Sequence, residues 1–424
     1  MAADFDPGAG PGNRDETMGD VWRDNSLGLD GSRVIDRRIY VDPAIYAAEQ
    51  EQIFARTWQW VAHESELPEF GDYVTATIAG RPIVVSRGEE GRISAFFNTC
   101  THRGALIAPH ARGNSAGSFV CLYHAWCFDT EGKLTSAPIP AAYGDNLRKP
   151  CYDIPQVRCE IFAGAIFVCL DPAVEPLERF LGQSAPYIET FLGRHQALGR
   201  VRWVMEGNWK LWHENFRDNY HPMFTHAVIG ANYQGVKIEG VNLDLSQGHS
   251  LLAFPSQGNP DQIKSSVRRL TGRPMAADVT VRARPTAGAT LNHNIMAVFP
   301  NLDFQNSGDG VLQNVLQVVR PLSIDRSVVE LVAFGEVGEP PAVRQARLDR
   351  CLDGQTAAGK ISGDDNEAAR RCFAGFGAVR EVRWSNMDRG QEQGVQGGKN
   401  DEYSLRAFYS AYKEYMAGAL AAGG

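Results

Sequence analysis

Apolar and polar positions follow two different rhythms along this chain. Ile45, Tyr46, Ile53 and Phe54 recur at the spacing of one helical face, and Asp42-Pro43 ahead of them is a capping pair, so a helix is predicted from there to just before Trp58. The period then shortens. Runs rich in β-branched and aromatic residues at Tyr73–Ile78, Pro82–Ser86, Ile93–Asn98, Phe119–Val120 and Ala165–Leu170 are each bounded by Gly, Asp or Asn, which predicts a small antiparallel β domain over residues 58–172. Beyond Asp171-Pro172 the pattern is mixed. A helix is expected from Asn208 to Asn219, strands at Ile295–Phe304, Val311–Pro321 and Val328–Gly335, and helices near 340–355, 365–374 and 402–420. The Gly/Pro/polar stretch near 255–288 reads as a lid or as a plain surface loop. Residues 1–35 carry few bulky apolar groups and suit a mobile arm. The expected division is an N-terminal arm (1–40), a β domain with its leading helix (41–172) and a larger second domain (173–424).

Bulk properties narrow the classes. A chain of 424 residues exceeds what one core usually organises, and 43% apolar content is enough to bury two. The formal net charge of −8 gives no electrostatic case for nucleic acid or an anionic membrane surface. No apolar run approaches the roughly 20 residues of a membrane span, and Met1-Ala-Ala-Asp-Phe-Asp lacks a basic segment followed by an apolar one, so a cytoplasmic protein is expected. The eight cysteines, at 100, 121, 127, 151, 159, 169, 351 and 372, are too sparse for a disulfide scaffold. Two of them read as ligands and six as buried thiols.

The two are Cys100 and Cys121, each followed closely by a histidine: Cys100-Thr-His102 and Cys121-Leu-Tyr-His124. Two thiolates and two imidazoles can hold zinc or a [2Fe–2S] cluster, and a zinc finger normally keeps its cysteines together and its histidines together. Here each string contributes one of each, so one iron can take both Cys and the other both His. That is the Rieske arrangement. Arg103-Gly104 turns the chain after the first pair, and Tyr123, Trp126 and Phe128 are placed to shield the second.

A second set lies on the helix expected near residue 215: Asp218-Asn-Tyr-His221-Pro-Met-Phe-Thr-His226. Asp218 and His221 would share a helical face, and Pro222 would bend the chain enough to turn His226 toward the same centre. Two His and a carboxylate make the facial triad that holds non-haem Fe(II) with open positions for oxygen. Asp364 and Asp365, at the start of an expected helix, are the candidate carboxylates, and ligation and helix capping are equally open to them.

These strings resemble the large (α) subunit of Rieske-type aromatic ring-hydroxylating oxygenases. The likeness rests on Cys100-Thr-His102-Arg-Gly, Cys121-Leu-Tyr-His124-Ala-Trp126 and Glu214-Asn-Phe-Arg-Asp218-Asn-Tyr-His221 through His226, and it spans both halves of the chain. It implies an α+β protein in which an all-β Rieske [2Fe–2S] domain precedes a helix-grip (START-like) catalytic domain with a curved antiparallel sheet. It implies one Rieske cluster on Cys100, His102, Cys121 and His124 and one mononuclear Fe(II) on His221, His226 and Asp365. It also implies that Asp218 links a cluster histidine of one subunit to an iron histidine of the next, which makes a homotrimer functional, and that Asn215 and Phe216 flank the iron on its substrate side. Ala125 departs from the commoner Gly of the cluster loop.

The implied activity is oxygenation of an aromatic ring with O2, giving cis-dihydroxylation or net monohydroxylation. Electrons would come from NAD(P)H through a separate reductase, with or without a ferredoxin, and a small (β) subunit is the expected partner. The Ala-Trp form after His124 and the compact length resemble the branch acting on salicylate-, benzoate- or terephthalate-like acids. Phe216, Phe224, Met296, Phe299 and Phe304 are candidate ring contacts, and Arg320, Arg380 and Arg383 are candidate forks for a substrate carboxylate. Two rivals stand beside this reading: an α-only Rieske monooxygenase or demethylase, and a non-enzymatic iron–sulfur carrier.

Overall fold

The computed structural model describes residues 34–226, 241–255, 291–306, 314–390, 396–398 and 401–421. The predicted lid beyond Pro255, the arm before Val34 and the start of the strand at 311–313 lie outside them. Every strand pairing among the described residues is antiparallel.

Val34–Asp36, which composition assigns to the mobile arm, is a strand paired with Trp384–Asn386. Buried Asp36 explains the docking: Arg38 and Arg383 both donate to its carboxylate, each at 2.7 Å. The leading helix follows as α1 (Pro43–Glu49), capped by the Asp42 carboxylate, which accepts from Ala44 N, and it continues as a wider turn through Gln50–Phe54. Its apolar face does not join the small β domain. Ile45, Ile53 and Phe54 pack with Met205, Trp209 and Phe408 in the core of the larger domain.

The β domain is built from three small sheets. Gln59–His63, Ala165–Cys169 and Arg158–Phe162 form one, in which Ala163 and Gly164 make the hairpin turn with φ of +50° and +81°. A side chain on Gly164 would run into the His63 ring. The second has the order Ile93–Phe97, Arg81–Arg87, Asp72–Ile78, Arg112–Asn114, and the third is Ser118–Val120, Cys127–Asp129, Leu134–Ser136.

The larger domain begins with two short helices, α2 (Leu177–Leu181) and α3 (Ala185–Leu192). Its eight-stranded sheet runs His195–Glu206, Arg326–Glu336, Asn314–Ser323, Leu302–Asn306, Leu291–Val298, Ser250–Pro255, Val241–Asp244, Gln396–Gly398. The central strands are apolar on both faces, because both are covered. Leu316, Val318, Val332 and Phe334 pack with α2 and α3, whereas Val319 and Val329 pack in the core that also holds α1. The helices of that second side are α4 (Trp209–Asn215), α5 (Pro222–Thr225), α6 (Pro341–Gln355), α7 (Ser362–Gly375) and α8 (Tyr403–Ala421).

The single strand expected at Ile295–Phe304 is instead a hairpin. Its arms are Leu291–Val298 and Leu302–Asn306, and Phe299-Pro300-Asn301 form the bend. Pro300 cannot donate to a ladder, so the apolar run breaks there. Between the two domains lies an ionic cluster: Arg200 of the large sheet meets Glu66 at 2.6 Å and also Glu330, and Arg320 donates to the Trp60 carbonyl at 2.6 Å.

Candidate metal centres

Two loops of the β domain bring four soft or imidazole donors together. The chain leaves the strand Ile93–Phe97 and turns at Cys100, where Gly104 N donates to the Cys100 carbonyl at 2.8 Å and Cys100 N donates to Ala105 O at 2.8 Å. The second loop repeats the pattern. Ala125 N donates to the Cys121 carbonyl at 2.9 Å and Cys121 N to Trp126 O at 2.8 Å. Gly104 and Ala125 hold equivalent places, both left-handed, with φ of +77° and +54°. Alanine therefore takes a conformation that costs an L-residue about 1 kcal/mol, and the loop geometry is kept.

Cys100 and Cys121 are both buried, and burial pushes the Cys100 thiol up. The rings of His102 and His124 are 4.7 Å apart, and the Nδ1 atom of each is buried without a hydrogen-bond partner. Buried imidazole nitrogens are normally satisfied, so two orphans beside two thiols fit a cluster that takes all four groups as ligands. Trp126 stacks on His102 at 4.8 Å with 5° between planes, and Tyr123 on His124 at 4.0 Å. Trp126 and Phe128 are buried as shields, but Tyr123 and Leu122 stand in solvent, Leu122 81% exposed. Of the remaining six cysteines only Cys169 and Cys351 are buried. Cys151 and Cys372 are exposed, on a surface turn and on the outer side of α7.

The second centre departs from the predicted helix. α4, capped by Asn208, stops at Asn215, so Asp218 lies in a turn where its Oδ1 accepts from Tyr220 N at 2.7 Å. Pro222 does not bend a running helix. It opens the new turn of α5 at the position where its missing N–H costs nothing, and His226 leaves that turn in extended backbone. The spacing thus brings Asp218 to His221 through a turn, with Oδ2 3.5 Å from Nδ1.

α7 supplies the carboxylates. Neither Asp364 nor Asp365 caps it, since no side chain bonds to its first turn. Asp365, 5% exposed, sets Oδ1 3.2 Å from His226 Nε2 and 3.6 Å from His221 Nε2, and Asn215 Nδ2 donates to that same oxygen at 3.0 Å. One donor atom from each of His221, His226 and Asp365 lies within 4.8 Å of the others. Asp364, 47% exposed, faces the other nitrogen of the His226 ring, Nδ1, at 3.4 Å. Each imidazole therefore points one nitrogen at Asp365; the other nitrogen of His226 bonds to Asp364, which orients that ring, and the other nitrogen of His221 faces Asp218 without a hydrogen bond. Burial pushes the His226 imidazole down, but Asp365 and Asp364 outweigh it and hold it above its ordinary value. A centre that favours positive charge in this way, built from two imidazoles and a carboxylate, fits a non-haem iron.

Phe216 is buried at the end of α4, its ring 6.3 Å from Trp212. Met296 and Phe304 are core residues against α2 and α3, Phe299 stacks on Tyr415, and Phe224 is exposed. Arg383 is bonded to Asp36, Arg320 is half-buried and donates to the Trp60 carbonyl, and Arg380 is exposed. Two buried networks beneath the centre had no sequence signal beyond the i, i+4 pair His213 and Arg217. Asp303 accepts from the His213 ring at 2.9 Å and Arg217 donates to its other nitrogen, and Glu214 accepts from the hydroxyls of Tyr40 and Tyr409.

Comparison with known proteins agrees with this geometry. Residues 57–156 match the Rieske [2Fe-2S] domain and residues 192–418 the ring hydroxylating alpha subunit catalytic domain. The anthranilate 1,2-dioxygenase large subunit of Acinetobacter baylyi is 28% identical over 89% of this chain and 84% of its own length. The toluate 1,2-dioxygenase subunit alpha of Pseudomonas putida is 30% identical over 85% and 82%. The crystal structure of naphthalene 1,2-dioxygenase from Rhodococcus sp. bound to indole superposes with a TM-score of 0.77 at 26% identity, covering 92% of this chain and 95% of that one. No helix among the described residues is long and apolar enough to cross a membrane. A Rieske domain joined to a mononuclear-iron catalytic domain, matched over nearly the whole length, places this chain in the family of ring-hydroxylating dioxygenase large subunits.

Proposed function

We propose that the chain hydroxylates a small aromatic acid of the benzoate type, with the cluster on Cys100, His102, Cys121 and His124 and the iron on His221, His226 and Asp365. The observation that carries the assignment is the convergence of three donor atoms within 4.8 Å, two from the turn around α5 and one from α7. The benzoate type is supported by the relatives that match along most of the chain, the large subunits named for anthranilate, toluate and 2-halobenzoate. Residues 41–172 are then the electron-carrying unit, entered through a helix packed on its neighbour, and 173–424 the catalytic unit.

When bound, the cluster supplies single electrons and the iron supplies open coordination positions where dioxygen meets the ring. The residues of the chain do the arranging. Asn215 donates to Asp365 Oδ1 and fixes which carboxylate oxygen faces the two imidazoles. Asp218 orients His221 and offers a short bonded route to a cluster histidine of the adjacent subunit in a trimer. Asp364 does the orienting for His226, and Phe216 borders the substrate side. A β subunit and a reductase drawing on NAD(P)H, with or without a ferredoxin, complete the system. In Asp365→Ala we expect loss of the mononuclear iron with acid-labile sulfide unchanged, read by metal and sulfide analysis; retention of all three irons per subunit would overturn the ligand assignment. Mass spectrometry of products from benzoates, salicylates, phthalates and neutral arenes, with a surrogate reductase and with or without a β subunit, tests the substrate class. Turnover of neutral arenes alone would overturn it.

A further inference from the structure

We propose that Arg389 is a positioning residue for electron delivery, acting through Tyr220 on the turn that carries Asp218 and His221. The proposal rests on the reading of those two residues given above. Tyr220 is the residue whose backbone N–H holds Asp218 Oδ1, and its ring is 40% exposed. A turn outside any helix with a solvent-facing ring is free to shift by the ångström that matters for a bonded electron route. The Arg389 guanidinium carbon lies 3.2 Å from the centroid of that ring, and Phe224 packs against the ring at 4.9 Å.

The guanidinium is delivered by a braced loop. Arg389 N donates to Glu402 Oε2 at 2.9 Å, Arg406 Nη1 donates to the carbonyls of Met387 at 3.1 Å and Arg389 at 2.9 Å, and Asp388 N donates to Asn386 Oδ1 at 2.9 Å. The strand just before it is paired with Val34–Asp36. Tyr220 is thus tied to the first turn of α8 and to the N-terminal strand, far from it in sequence. Glu402, which accepts from Arg389 N, feels both the Arg389 cation and the Asp218 anion. A cation over an aromatic face is the contact that fits, because Arg stacks flat while its charge stays beside carboxylates.

The test uses the holoenzyme. Arg389→Met, Arg389→Lys and Asp218→Asn are compared with wild type for iron, sulfide, melting temperature and the rate at which the reduced cluster is oxidised in a single turnover with benzoate and O2. Arg389→Met is expected to keep both metals and the melting temperature, to slow cluster oxidation about 10-fold and to release more peroxide per electron, with Arg389→Lys recovering part of the rate. A normal rate in Arg389→Met beside a slow Asp218→Asn overturns this proposal alone. A normal rate in Asp218→Asn overturns the reading of Asp218 and the proposal with it. Slowing that tracks lost iron or a lowered melting temperature, unrelieved in Arg389→Lys, makes the contact structural and also overturns the proposal.

Discussion

Glu214 shows how far a single buried acid can be pushed next to a metal centre. Burial raises its carboxyl to about 7, even though Tyr40, Tyr409 and Lys210 favour the anion, and the Asp218 charge adds to the rise. The folded value lies above the ordinary 4.5, so the folded protein holds a proton that the unfolded chain has released between those two values. Stability from this group is complete below pH 4.5 and is lost as pH rises through about 7, an effect of about 3 kcal/mol. Glu214→Gln should flatten that part of the curve. Melting temperature against pH from 5 to 8 for both proteins checks it; identical slopes would show that Glu214 is not protonated in the fold. His249 and His213, pushed down by burial, act in the opposite direction in both proteins and cancel in the comparison.

At the scale of elements, α4 is held by a charge pair as well as by its apolar face. Lys210 and Glu49 are both fully buried and bonded to each other, and Trp209 and Tyr412 also donate to Glu49, so α1, α4 and α8 meet at one carboxylate. Removing one partner leaves an unpaired buried charge. Lys210→Met should destabilise the domain by about 3 kcal/mol, and Glu49→Gln in the same chain should recover part of that, read by urea unfolding. No recovery would mean that the pair is not coupled. Contacts of this kind explain what the sequence left unread. The candidate metal donors were legible because their chemistry is local: Cys100-Thr-His102 and His221 to His226 are short strings. The strands at Asn314–Ser323 and Arg326–Glu336 were legible because both of their faces are apolar. His195–Glu206 passed unnoticed because its outer residues are charged and half-exposed. The helix expected up to Asn219 was too long because helical spacing alone shows no stop at Asn215, and the choice between Asp364 and Asp365 needed the burial that only packing supplies.

For the whole molecule, the ionic cluster at Arg200 and the bond from Arg320 to Trp60 fix the small domain on the large sheet. In the proposed trimer, electron delivery depends on how copies meet. Asp365→Ala and Cys100→Ser chains should each be inactive alone, the first without iron and the second without cluster. Co-expressed as mixed trimers, they should regain about a quarter of wild-type turnover, since random assembly places a good cluster beside a good iron at that fraction of junctions. Asp218→Asn added to the iron-competent chain should abolish the gain. Failure of the mixture to turn over, with both metals present by analysis, would confine the electron to one chain.

The matched turns at Cys100 and Cys121 carry a consequence for how the protein acquires its cluster. Each turn offers one sulfur and one nitrogen, and in the Rieske arrangement those two atoms go to different irons. With that ligand set neither iron would be fully held until both turns are in place, so the proposed cluster would load only on a β domain whose two turns have already met.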